Sequence, residues 1–254
     1  MSGVPPGRRP PREKPAVLLF DWDNTLVDGW AGITAALNAA FGAFGKPLWT
    51  VEDTRNRVRV SLKESFPVMF GEAWERARDI FYETFHGNHL AHVTAMPGAV
   101  EALLAGTSWP LGVVSNKAGK YLRAEVLHLG WSPHFGAVVG AGDASADKPD
   151  PAPLLMALEQ LGFPAGREVW YLGDTALDMQ AARAAGVTAV LVGNASHDGG
   201  VERAVPDLHV HSAHELASWL KSLAWAWRPD SLRESVVPPG LTGTTIKGTL
   251  QLSP

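Results

Sequence analysis

Five apolar residues in a row, 16–20, end abruptly at Asp21. So short an unbroken run, bounded by polar residues, predicts a strand buried on both faces. Apolar side chains then recur at Trp30, Ile33, Leu37, Phe41 and Phe44. Their i, i+3, i+7 spacing predicts an amphipathic helix. A second helical stretch is marked by Val58, Leu62, Phe66 and Met69, with Pro67 expected to kink or end it. A third spans about residues 72–90 on Trp74, Ala77, Phe81 and Phe85, and the segment closes at Met96-Pro97-Gly98, a strong break. No strand signal interrupts these helices, so they read as a unit of their own.

Past the break, strand and helix patterns alternate. Strands are predicted at 111–114, 137–139, 169–172, 188–192 and 208–210. Helices are predicted at 120–129, 153–161, 176–185 (with Gly186 as its natural stop) and 213–223. Repeated alternation of this kind predicts an α/β fold, a Rossmann-like parallel sheet with helices on both faces. The first strand belongs to that sheet, which makes the helical unit an insertion behind it. The division is then a core of 15–28 and 94–224, a helical insertion of 29–93, and tails of 1–14 and 225–254. The first tail is Pro-rich and basic, with Arg8, Arg9, Arg12 and Lys14 but no apolar stretch, and reads as disordered rather than as a secretory signal. The second, rich in Pro, Gly, Ser and Thr, reads as a partly or wholly disordered extension with an extended piece over 244–252.

Composition narrows the chemistry. The 254 residues are 46% hydrophobic and 19% charged, ordinary for a globular protein. A formal net charge of −4 gives no footprint for nucleic acid. There is no cysteine, which removes disulfides, thiolate catalysis and zinc–sulfur sites and fits a cytoplasmic location. No apolar run approaches the roughly 18 residues of a membrane span.

The polar residues at the predicted strand ends carry the function. Strand one ends in Asp21-Trp22-Asp23-Asn24-Thr25, and the strand at 111–114 in Ser115-Asn116. Lys148-Pro149 follows the strand at 137–139, and Gly173-Asp174-Thr175, with Asp178 one turn on, follows that at 169–172. Parallel strands share one C-terminal edge, so these groups converge on one crevice. Crowded aspartates repel and raise one another's pKa, so they call for a cation or a reacting group. With no cysteine and no histidine beside them, Asp21, Asp23, Asp174 and Asp178 form an all-oxygen set suited to Mg²⁺. Ser115, Asn116 and Lys148 are donors suited to phosphate oxygens. A carboxylate can attack phosphorus to give an aspartyl-phosphate, splitting one hard step into two.

On these four motifs, in this order, the chain resembles the haloacid dehalogenase superfamily, and within it the phosphoglycolate-phosphatase-like phosphohydrolases. The resemblance runs from about residue 15 to residue 223. It implies a helical cap for the insertion and, as function, Mg²⁺-dependent hydrolysis of a small phosphorylated metabolite, phosphoglycolate first. It implies Asp21 as nucleophile and Asp23 as general acid, then base. It implies Mg²⁺ held by Asp21, the Asp23 carbonyl oxygen and Asp174, with Asp178 supporting the metal through water or by orienting Lys148. Phosphate would be bound by Thr25, Ser115, the Asn116 backbone and Lys148. Dehalogenase-type members lack the second aspartate, so Asp23 favours a phosphate ester. Two departures stand out: Trp22 is bulkier than the usual aliphatic residue, as in phosphonoacetaldehyde hydrolases, and Asn24 stands where many members have glycine. A phosphomutase of the same superfamily and a catalytically idle scaffold are the alternatives.

Of the remaining signals, His86, His89 and His92 lack a carboxylate at ligand spacing and read as surface or core residues, as do His209 and His211. Most of the ten tryptophans fall at core-facing positions. Arg55, Arg57, Arg59 and Lys63 cluster between two helices of the insertion. One or two of them are expected to face the active site and bind an anionic leaving group.

Overall fold

The computed structural model describes residues 14–58 and 62–226, without the side chains of Lys63, Trp225 and Ala226. Residues 1–13, Arg59, the Lys63 side chain and 227–254, including the extended piece expected at 244–252, lie outside the described residues. The elements begin with β1 (Val17–Phe20), β2 (Val27–Asp28), α1 (Trp30–Ala43), α2 (Val51–Arg57), α3 (Leu62–Phe70), α4 (Trp74–His92) and β3 (Thr94–Ala95). They continue with α5 (Ala99–Gly106), β4 (Leu111–Ala118), α6 (Gly119–His128), β5 (Ala137–Ala141), α7 (Ala152–Leu161) and β6 (Val169–Gly173). The last are α8 (Ala176–Ala184), β7 (Thr188–Val192), α9 (Gly200–Ala204), β8 (Leu208–Val210) and α10 (Ala213–Ala226).

Six strands form one parallel sheet in the order β5-β4-β1-β6-β7-β8. The apolar run at β1 is explained by its central place: all four residues are fully buried between β4 and β6. Its side chains alternate between the faces. Leu18 and Phe20 meet Leu103 of α5, Leu122 of α6 and Leu216 of α10, whereas Val17 and Leu19 meet Leu154 of α7 and Met179 of α8. Each such burial is worth roughly 1.5–3 kcal/mol.

Helices α1 to α4 enclose a third cluster, with Leu37, Phe41, Phe66, Phe81 and Phe85 at its centre and Tyr121 of α6 joining it to the core. The chain leaves and re-enters the core side by side. β2 and β3 pair antiparallel, with Val27 opposite Ala95 and Asp28 opposite Thr94.

Three local expectations are corrected. Val58 does not belong to the second helical stretch: it is an extended C-cap of α2, a helix not predicted, which is started by a Thr50–Asp53 capping box, and the stretch itself is α3 from Leu62. Pro67 does not end α3, which continues to Phe70. Ring packing of Phe70 on Phe41 and of Phe66 on Phe81, each at 5.8 Å between centroids, outweighs the lost N–H bond. Helix α5 was not predicted, because the break at Met96-Pro97-Gly98 masks its start. Gly98 caps it at φ +83°, and a Cβ there would lie 2.6 Å from the His214 amide nitrogen of α10. Gly98→Ala is therefore expected to destabilise the fold by about 2 kcal/mol or more. Urea denaturation would read this as a lowered midpoint at unchanged slope; an unmoved midpoint would contradict it.

Candidate active site

The C-terminal edge of the sheet gathers the polar residues into a cleft of ≈ 640 Å³, with Asp21, Asp23, Ser115, Asn116, Lys148, Asp174 and Asp178 on its walls. Asp21 and Asp23 follow β1, and Asn24 turns the chain at φ +62°. A short polar side chain tolerates that left-handed conformation, so glycine is not required there. Asp174 follows β6, and Asp178 opens α8, where its Oδ2 and Thr175 form a capping box. Thr25 is buried, with Oγ1 3.4 Å from Asp174 Oδ1, and is not among the residues that line the cleft.

Lys148 is the hub. Its ammonium donates to Asp21 Oδ1 at 2.6 Å, Asp178 Oδ1 at 2.7 Å and the Tyr171 hydroxyl at 2.8 Å, which uses all three protons. Its backbone is clamped by the Asn116 side chain, which donates to the Lys148 carbonyl and accepts from its N–H, both at 2.9 Å. The Asn116 amide is thus occupied with placing Lys148, while the Ser115 hydroxyl accepts from the Lys117 N–H at 3.1 Å. Burial alone would pull the Lys148 ammonium down, but Asp178 and Asp21 outweigh it and hold it well above the usual lysine value. Burial pushes Asp21 well up, helped by Asp178 and Asp174. Asp178 is also pushed up by burial, yet Lys148 and Thr175 overcome this and hold it below the usual carboxylate value.

The residues present fit a hard divalent cation. Asp21, Asp174 and Asp178 are buried and each offers a carboxylate oxygen within 4.8 Å of the others. Burial pushes Asp174 up as well as Asp21, so a positive charge there would relieve both. The Asp23 carboxylate is not part of this group. It is 31% exposed and accepts from Lys117 Nζ at 2.7 Å.

Three residues at the site escaped the sequence reading. Lys117 lies in β4, whose pattern runs past the predicted end to Ala118. Tyr171 is hidden in an apolar strand, yet its hydroxyl donates to the Val114 carbonyl at 2.9 Å. The expectation of no histidine beside the carboxylates is overturned. His197 Nε2 lies 3.1 Å from Asp174 Oδ2. The loop after β7 opens on the same sheet edge as β6, the one signal that could have found it.

Helices α1 and α4 supply an apolar roof, with Ile33, Phe81 and Phe85 on the cleft. Arg55 pairs with Asp28 and lines an adjoining cavity of ≈ 480 Å³ together with Asp174 and His197. Arg57 pairs with Asp53 at 3.2 Å and lies over the Trp49 ring at 5.2 Å. Neither is among the residues lining the cleft. His89 is buried, the His209 and His211 rings lie tilted at 4.5 Å between centroids, and no described helix is long and apolar enough to cross a membrane.

A family model described as haloacid dehalogenase-like hydrolase matches residues 18–192. The chain is 31% identical over 214 residues to a phosphoglycolate phosphatase of Chromobacterium violaceum, covering 80% of this chain and 95% of that one. It is 32% identical over 185 residues to a phosphoglycolate phosphatase of Xanthomonas campestris, covering 69% and 82%. Among solved structures, a haloacid dehalogenase-like family hydrolase of Streptococcus pneumoniae superposes with a TM-score of 0.70 at 21% identity, over 81% of this chain and 98% of that one. A HAD-superfamily hydrolase of Geobacter sulfurreducens gives 0.65 at 22% identity, over 81% and 96%. These two likenesses concern the fold.

Proposed function

Since the chain belongs to the haloacid dehalogenase-like hydrolase family, we propose that it is a Mg²⁺-dependent phosphatase that hydrolyses a small phosphate monoester, phosphoglycolate first, through an aspartyl-phosphate. The observation that carries this reading is the pairing of two carboxylates two residues apart but held differently. Asp21 is buried against Lys148, and Asp23 stands half-open to the cleft on Lys117.

In this mechanism Asp21 attacks phosphorus as the bond to the ester oxygen breaks. Asp23 gives that oxygen its proton, and the alcohol leaves. A water then loses a proton to Asp23 and attacks the phosphorus carried on Asp21, which frees inorganic phosphate and restores both carboxyl groups. The Ser115 hydroxyl and the Asn116 backbone bind the phosphoryl oxygens, and Lys148 offsets the charge between them and Asp21, while Asp178 holds Lys148 in place. Mg²⁺ held by Asp21, Asp174 and the Asp23 carbonyl, with Asp178 in support, would supply charge neutralisation on those oxygens. Helices α1 to α4 serve as the cap that excludes water. The relatives named phosphoglycolate phosphatase support the choice of substrate. A cytoplasmic location goes with this reading, since phosphorylated metabolites are made there.

A panel of phosphate esters tests it. Phosphoglycolate is expected to give the highest kcat/KM, with turnover abolished by EDTA and restored by Mg²⁺. Mg²⁺ should also raise the melting temperature of the native chain but not that of Asp174→Asn. Undiminished hydrolysis in EDTA, or no hydrolysis of any ester, would remove the mechanism.

A further inference from the structure

Trp22 is fully buried and meets Trp131 edge-on at 5.6 Å between centroids. Packing is only part of its role, because Nε1 donates to Glu125 Oε2 at 2.7 Å. Glu125, on α6, is 1% exposed, and a carboxylate so deeply placed is costly unless fully paired. It has three partners: Trp22, His89 Nδ1 at 2.9 Å from Oε1, and Lys117 Nζ, which donates to Oε2 at 2.6 Å. Lys117 in turn donates to Asp23 Oδ1 at 2.7 Å. Trp22 and Asp23, neighbours in the chain, are therefore joined a second time through Glu125 and Lys117.

Stability is a poor account of this ring, since apolar residues of similar volume fill buried space without the desolvation cost of charge. The network ends on one oxygen of Asp23 and leaves Oδ2 without a hydrogen bond among the described residues. Space is reserved for the contact as well. Gly29 has φ −107°, open to any residue, but a Cβ there would lie 3.2 Å from Asp23 Oδ1 and 3.8 Å from Lys117 Nζ.

We propose that Lys117 and Glu125 are positioning residues for Asp23, with Trp22 and His89 fixing Glu125 so that one Asp23 oxygen is anchored and the other is aimed at the leaving group. The proposal rests on the reading of Asp23 as proton donor and acceptor. It also assigns a purpose to the bulky residue between the aspartates and ties α4 of the insertion, through His89, to the acid.

The test compares an alkyl phosphate with p-nitrophenyl phosphate, whose leaving group needs little protonation. Asp23→Asn, Lys117→Met and Glu125→Gln are measured alone, and the latter two also in the Asp23→Asn background. Glu125→Gln keeps the shape, since its amide can face His89. Lys117→Met and Glu125→Gln are each expected to lower kcat on the alkyl ester by about 10–100-fold, with KM within about twofold and a smaller loss on the aryl ester. Neither should add to Asp23→Asn. Equal losses on both esters, or full additivity with Asp23→Asn, would overturn the proposal while leaving the mechanism intact. An Asp23→Asn variant indifferent to the leaving group would instead sink the acid–base reading of Asp23, and the proposal with it. If Lys117→Met does not fold, Trp22→Phe, which removes one donor to Glu125 and keeps most of the packing, takes its place with the same expected pattern.

Discussion

Asp21→Asn is expected to lower the turnover of phosphate esters on the order of 10⁴-fold or more while leaving the chain folded, because in the proposed mechanism Asp21 is the group that takes the phosphoryl group. The same variant should melt no lower than the native chain in metal-free buffer. The sign follows from linkage. Burial pushes the Asp21 carboxyl well up, so the native state holds its proton to higher pH than the unfolded chain, which releases it near about pH 3.9. Above that pH ionisation opposes folding, and the opposition is complete once the native value is passed. Asparagine removes the charge yet still accepts from Lys148. Stopped-flow phosphate release and a thermal melt in EDTA read the two halves. Retained turnover would eliminate Asp21 as nucleophile, and a markedly lower melt would show that its charge supports the fold.

Lys148→Met is expected to cost both activity, roughly 10²–10³-fold, and stability, roughly 3–5 kcal/mol at neutral pH. In the native chain the raised Lys148 value means that its contribution is whole below the unfolded lysine value of about 10.4 and fades only as pH climbs through the higher native one. The depressed Asp178 value works at the other end, where its contribution is lost as pH falls through it. Methionine leaves Asp21 and Asp178 facing each other with no ammonium between them, and both must then take up protons. The deficit should therefore shrink as the solution is acidified from neutrality. Denaturation at several pH values decides the matter, and a variant as stable as the native chain at pH 7 would show that the lysine neutralises nothing.

The fold and the main groups of the site could be read from the chain because they rest on local signals. An apolar run followed by a carboxylate marks a central strand and its exit, and β1, β6 and Asp174 each obey that pattern. Lys117, Glu125 and His197 were not legible for a different reason. Glu125 resembles any acid on a helix, and its partner Trp22 lies 103 residues away, so only the packing of α6 over β1 identifies it. His197 enters through a loop. The helix read from Val58 onward starts too early because Val58 keeps the 3.6-residue period with Leu62 although its backbone is extended. Periodicity reports which face of a segment is apolar, and it is blind to where the backbone breaks.

The two-residue ribbon of β2 and β3 carries one more consequence. Because Asp28 and Thr94 stand opposite each other, the whole helical excursion begins and ends at one point on the core. Topologically it is a loop closed at its neck, so a cut at that neck followed by a short turn would leave the six-stranded sheet with every strand connection unchanged. Insertions of other sizes could be grafted at the same place without disturbing the register of β1. The residues at the sheet edge and the helices that roof their cleft thus sit on separate stretches of the chain, joined covalently by two strands of two residues each and across space by the His89–Glu125 contact.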